Sequence, residues 1–297
     1  MSIRIDNITR GRFGNKILQY NSLMQLAKKY NIEPSCNWDG ESSYFKQIVN
    51  QIPSSKPIKL LFCKDIIDNK QLDFDRYEYI LDDPAYCLHN VFYHITKTDP
   101  REFLELKDEF KPKLDKNILH IGIHIRGGDI LGSNMGREIH PFDYYKKCID
   151  DIINNTNNMF KKPKIFYVCS DDITFDTYKK TVHYLQSNNY NYKIGISTGT
   201  NKEHIYDFAL LSECDILINS SSTYCICAGF LGKTNKLIYH YNSWIQRNLN
   251  YEKWNNKETS IINGISIIEF RKTFDNFWID LFKSDNKFYN AYKFIIT

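Results

Sequence analysis

The chain has 297 residues, with 39 Lys and Arg against 35 Asp and Glu and a net charge of +4, a length that suits two domains of about 150 residues each. A composition of 42% apolar and 25% charged residues excludes intrinsic disorder, and the absence of a long basic block argues against nucleic acid as a partner. The opening "MSIRIDNITRGRFGNKILQY" carries no apolar signal core, and no stretch approaches the ~18 apolar residues of a transmembrane span, so a cytoplasmic location is expected.

Taken in chain order, "IRIDNI" alternates as a short strand. "TRGRFGN" then makes a glycine-containing turn into "KILQYNSLMQLAKKY", where Ile17, Tyr20, Met24 and Ala27 recur at helical spacing. From about residue 31 to 117, six prolines punctuate short mixed segments and no motif can be placed. From 118 onward, strands alternate with helices. "NILHIGIHIR" reads as a strand and "PFDYYKKCIDDIINN" as a helix with Tyr144, Lys147, Cys148 and Asp151 on successive turns. "KIFYVCS" is a strand, "TFDTYKKTVHYL" and "EHIYDFALLSEC" are helices, and "DILIN" is a strand running into "SSST". "YCICAGFLGK" reads as a helix with a stop at Gly232-Lys233, and "NKLIYHY" as one more strand. This alternation predicts an α/β protein with a mainly parallel, Rossmann-like sheet in its second half, and the opening strand-turn-helix begins a second such domain. The expected boundary lies between residues 1–116 and 117–297, with the aromatic tail "IIEFRKTFDNFWIDLFKSDNKFYNAYKFII" packing as core or crossing back onto the first domain.

Ligands of open parallel sheets bind beyond the carboxyl ends of the strands, and the polar residues collect there. In "HIGIHIRGGDI" the isoleucines share one face of the strand, so His124 and Arg126 share the other. Arg126 offers a planar, permanently charged fork suited to phosphate, Gly127 and Gly128 admit close backbone approach, and Asp129 can orient the arginine or touch a sugar hydroxyl. A surface turn with an Arg–Asp pair is the plain alternative, as a half-buried histidine bonded to a backbone carbonyl is for His124. His120 and His124 cannot share a metal, because four residues of strand separate them by roughly 13 Å. The run Ser220, Ser221, Ser222 and Thr223 supplies hydroxyls and amides at a strand-to-helix turn, fit for phosphate or for a simple helix cap. "GRFGN" lacks the spacing of a dinucleotide fingerprint or a P-loop, which leaves Asn15 as an N-cap or a site residue. The eight cysteines stand singly apart from Cys225 and Cys227, which lack the second pair a zinc site needs; reduced, buried thiols fit best.

"GRFGN" before a helix, "HIR" closing a strand before Gly and Asp, and "DFALLSECDILINSSST" together resemble the GDP-fucose-dependent fucosyltransferases. The similarity is to the α-1,2-fucosyltransferase family, typically Gly-Gly-Leu-Gly-Asn-Gln and His-x-Arg-Arg-Gly-Asp, and to the protein O-fucosyltransferases, which open with Gly-Arg-Phe-Gly-Asn. The resemblance spans about residues 5–25 and 118–240. It implies a GT-B-like fold, two Rossmann-like domains facing each other across a cleft. It also implies an inverting enzyme that moves L-fucose from GDP-β-L-fucose to a hydroxyl of a glycan or glycoconjugate acceptor, without a metal or other cofactor. Arg126 would grip the β-phosphate and leaving oxygen, His124 the ribose or guanine, and Asp207 the guanine edge. Ser220, Ser221, Ser222 and Thr223 would cradle the phosphates. Gly14 and Asn15 would lie near the donor sugar and acceptor, and Asp171 or Asp172 near the base or ribose. Asp129 and Glu138 are candidates for the base.

Two departures bear on the product. Gly127 stands where the α-1,2 family has a second arginine, and Tyr224-Cys225 where it has paired tryptophans. Two other functions stay open: a metal-dependent glycosyltransferase using the Asp-x-Asp form of Asp73 and Asp75, and a non-catalytic glycan-binding protein on a degenerate transferase fold.

Overall fold

A computed structural model describes residues 2–8, 11–38, 40–53, 55–61, 65, 71–81, 100–128, 140–154, 161–196, 203–220, 222–232, 237–241 and 261–266. Asp129, Glu138, Ser221, Cys63, Cys87 and the tail at 267–296 lie outside the described residues. The described chain forms two compact units, one running to Lys107 and the other starting at Asp108.

In the first unit, β1 (Ser2–Ile5), α1 (Phe13–Tyr30), β2 (Glu33–Cys36), β3 (Ile58–Leu61) and β4 (Glu78–Leu81) build a sheet of order β2-β1-β4-β3. Every pairing in it is parallel. β1 alternates as its sequence predicts: Ile3 and Ile5 are buried, while Ser2 and Arg4 reach the carboxylate of Glu78 at 3.1 and 3.2 Å. α1 begins three residues before the stretch that carries the helical spacing and buries Ile17, Leu18, Tyr20, Leu23 and Ala27. It ends where Asn31 turns left-handed at φ 52, so that Ile32 N–H reaches back to the Ala27 carbonyl at 3.0 Å, with Lys28 and Lys29 beside the negative end of the helix. β2 escaped the sequence reading because it contains Pro34. An edge strand tolerates a proline, since the missing N–H leaves no ladder bond broken.

In the second unit, β5 (Leu119–Ile125), β6 (Lys164–Ser170), β7 (Tyr192–Ile194), β8 (Ile216–Ile218), β9 (Leu237–Tyr241) and β10 (Ile261–Ser266) form a sheet of order β10-β9-β8-β5-β6-β7. The first five are parallel and β10 runs antiparallel to β9. Counted from β5, this is the order 3-2-1-4-5-6 of a Rossmann fold, whose direction of winding reverses between β5 and β8. α2 (Phe142–Asn154), α3 (Asp176–Ser187), α4 (His204–Glu213) and α5 (Thr223–Leu231) follow the strands as the alternation predicts.

β5 is the strand about which the unit is built, buried at all seven positions. Ile121, Ile123 and Ile125 pack with Tyr144, Tyr145, Cys148 and Ile149 of α2 and with Leu185 of α3. The buried stripe of α2 is thus Tyr144, Tyr145, Cys148, Ile149 and Ile152; Lys147, which the helical spacing grouped with it, is exposed. The other face of β5 is covered too. A Cβ at Gly122 would stand 2.8 Å from the side chain of Leu211, so the glycine lets α4 lie close on the sheet. β7 went unpredicted because it is three residues long, with Ile194 54% exposed at the sheet edge. Among the described residues no helix is long and apolar enough to cross a membrane.

Candidate functional site

The reversal between β5 and β8 is where this topology opens a crevice at the strand ends, and four predicted residues meet across it. His124, the penultimate residue of β5, is 5% exposed and its Nδ1 lies 2.6 Å from the Ser220 hydroxyl that follows β8. One residue past the strand, Arg126 donates from Nη1 to the hydroxyl of Ser222 at 2.9 Å. Both plain readings fail here. His124 is buried rather than half-buried and bonds a hydroxyl rather than a backbone carbonyl. Ser222 occupies the N-cap of α5, yet its side chain makes no capping bond and holds the guanidinium instead.

The His124 ring packs against Tyr224, centroids 5.3 Å apart, and Tyr224 in turn meets Phe208 edge-on at 5.3 Å. The Tyr224 hydroxyl donates to the carbonyl of His204, and the Tyr145 hydroxyl donates to the carbonyl of His124 at 3.3 Å. Burial lowers the His124 pKa to about 4; Asp171 opposes this and the Arg126 charge adds to it. The imidazole is therefore neutral near pH 7.

The Gly-Gly turn is braced by β6. Gly127 N–H donates to Asp171 Oδ1 at 2.8 Å. Gly128 adopts φ +46, and a Cβ there would stand 2.9 Å from the other Asp171 oxygen, so this position demands glycine on two counts. Asp172, which the sequence could not separate from Asp171, chiefly braces its own turn: its Oδ1 accepts from the Thr174 hydroxyl at 2.6 Å and amide at 2.8 Å, which lowers its pKa. Asp172 also accepts from the Gly128 amide, so both carboxylates hold the arginine loop, Asp171 at Gly127 and Asp172 at Gly128.

Asp207 lies on α4, 2% exposed, accepting from Ile196 N–H at 2.7 Å and from the Cys169 thiol. It therefore ties α4 to the ends of β6 and β7. Gly195 is again a matter of space, since its Cβ would stand 2.7 Å from the carboxylate. Thr223 opens α5 beside the serines. Gly14 and Asn15 belong to the first unit. There Arg12 is the N-cap of α1, so Asn15 sits at the third helical position rather than at the cap. Its side chain folds back over Gly11, which has φ +80 and whose Cβ would stand 2.3 Å from the Asn15 amide nitrogen.

Tyr145, Cys169 and Phe208 have no role in the sequence reading. Their only sequence signal is apolar periodicity, which marks core and cannot show which core side chains underlie a site. Asn219, which precedes the serine run in the motif, is buried, and its Oδ1 has no partner among the described residues. The six described cysteines are buried thiols outside any disulfide, as the scattered spacing predicted, and among the described residues no cluster of metal-ligating side chains is found. Asp73 caps a turn, its Oδ1 accepting from the Arg76 amide at 3.1 Å.

A Rossmann sheet whose reversal point gathers an arginine, a histidine and hydroxyls before a helix N-terminus is an arrangement with which α/β proteins commonly hold nucleotides. The family model described as "Glycosyl transferase family 11" matches residues 4–261, and the chain belongs to that family. It is a glycosyltransferase, and the resemblance to GDP-fucose-dependent fucosyltransferases carried by the motifs is borne out. Solved structures share the fold, two of them fucosyltransferases with GDP. NodZ α-1,6-fucosyltransferase, co-crystallized with GDP, aligns with a TM-score of 0.54 at 12% identity over 88% of this chain and 98% of its own. A mutant of Arabidopsis thaliana FUT1 in complex with GDP aligns with a TM-score of 0.50 at 13% identity, over 81% and 69%. No curated protein matches the sequence.

Proposed function

We propose that the protein transfers L-fucose from GDP-β-L-fucose to a hydroxyl of a glycan acceptor, with inversion at the anomeric carbon and an α-1,2-type linkage. The observation that carries the reading is the pair of bonds, His124–Ser220 and Arg126–Ser222, joining β5 to the β8–α5 turn at the sheet's reversal point. The GDP in both solved relatives supports the same donor class.

The chemical difficulty is departure of a diphosphate anion from an oxocarbenium-like carbon. A guanidinium held in place before the reaction stabilises charge as it develops on the leaving oxygen, and losing one such donor elsewhere costs about 3–4 kcal/mol of barrier. Arg126 fills that role, with Ser222 fixing its Nη1. The amides at the start of α5 and Thr223 lie toward the phosphates, His124 toward the ribose or base, and Asp207 toward the guanine edge. In a loose transition state the acceptor needs only weak proton removal, for which Asp129 is the proposed group. The charge on Arg126 takes the place of a metal ion. A screen of GDP- and UDP-sugars with a glycan acceptor, run with and without EDTA, tests this. GDP-fucose turnover insensitive to EDTA is the expected result, whereas loss of turnover restored by Mn²⁺ would favour metal chemistry.

A further inference from the structure

A serine run after a strand ordinarily caps the next helix or offers its hydroxyls to a bound anion. Ser220 is engaged otherwise. It is 3% exposed and its Oγ stands 2.6 Å from His124 Nδ1, a short contact for a hydroxyl against a ring nitrogen. The ring has little freedom: Tyr224 lies against it and Tyr145 bonds the backbone carbonyl of the same residue.

A neutral imidazole carries one proton, on one nitrogen or the other, so the partner at Nδ1 decides what Nε2 can do. If Nδ1–H donated to the serine, the serine's own hydrogen would need a second acceptor. Among the described residues the Ser220 hydroxyl meets none besides Nδ1. If the hydroxyl donates, both groups are satisfied and the ring proton resides on Nε2.

We infer that Ser220 is a positioning residue whose O–H···Nδ1 bond holds His124 in the Nε2–H tautomer, so that the histidine acts as a hydrogen-bond donor toward the nucleoside of the sugar nucleotide. The inference rests on the proposed donor for its ligand, while the tautomer itself is a property of the unliganded protein. Ser220 then serves the nucleotide through His124, whereas the phosphates are met by Arg126 and the α5 amides.

Long-range proton–nitrogen correlation spectra of ¹⁵N-histidine-labelled protein at pH 7.5 read the tautomer directly, with His124 assigned by its absence in His124→Gln. Nε2–H in the wild type, lost to a mixture in Ser220→Ala together with a roughly tenfold weaker GDP affinity, is the expected result. An Nδ1–H pattern in the wild type overturns the inference, and so does a Ser220→Ala protein with unchanged spectrum and affinity. If Ser220→Ala does not fold, the wild-type spectrum decides alone. A wild type that shows the Nε2–H pattern but fails to bind GDP refutes the donor assignment and leaves the Ser220–His124 relation standing.

Discussion

Gly127 concentrates the question of what this enzyme makes, because it replaces an arginine that the resembled family keeps. The structure gives a steric account: a Cβ at this position would lie 3.1 Å from Asp172 Cβ and 3.2 Å from Phe175 Cβ, so the turn has closed around the missing side chain. Gly127→Arg is therefore expected to lower the melting temperature by several degrees, at a cost of about 1–3 kcal/mol for overpacking, without raising fucose transfer; differential scanning fluorimetry and a turnover assay check both. Ser222→Ala removes the acceptor for a charged donor, an interaction of about 1.5–3 kcal/mol. A ten- to hundredfold drop in GDP affinity is expected by calorimetry, with α5 retained because Ser222 makes no capping bond.

At the scale of elements, β5 carries the fold and the site on one strand. Three fully buried isoleucines contribute on the order of 5–9 kcal/mol, enough to offset burial of His124, which is neutral and hydrogen-bonded. Gly122 sets how closely α4 approaches the other face. Gly122→Val would drive branched methyls into Leu211, and a loss of about 1–3 kcal/mol is expected in urea unfolding. The alternation of "HIGIHIR" and the order of the later helices were legible because apolar periodicity reports burial directly. β2, β3, β4, β7 and β10 were not, being strands of three to six residues with a proline, exposed apolar positions or no clean alternation. In the site, residue types were readable and pairings were not. That His124 meets Ser220 and Arg126 meets Ser222 depends on β5 lying beside β8, 96 residues away in sequence.

For the whole molecule, stability and binding respond differently to pH. The folded His124 pKa of about 4 lies below its ordinary 6.5, so between those values the unfolded chain takes up a proton that the folded protein refuses. The stability tied to His124 is complete above pH 6.5 and is lost as pH falls toward 4. Thermal melts from pH 7.5 to 5 should show a decline that is shallower in His124→Gln. GDP affinity between pH 7 and 8 should stay flat with respect to His124, which is neutral throughout that range. The central claim is that a nucleoside diphosphate binds at the β5–β8 reversal through Arg126. Calorimetric titration of GDP into the wild type and Arg126→Ala tests it most directly: the account predicts saturable binding that weakens at least a hundredfold in the variant, and equal affinity of the two proteins would contradict it.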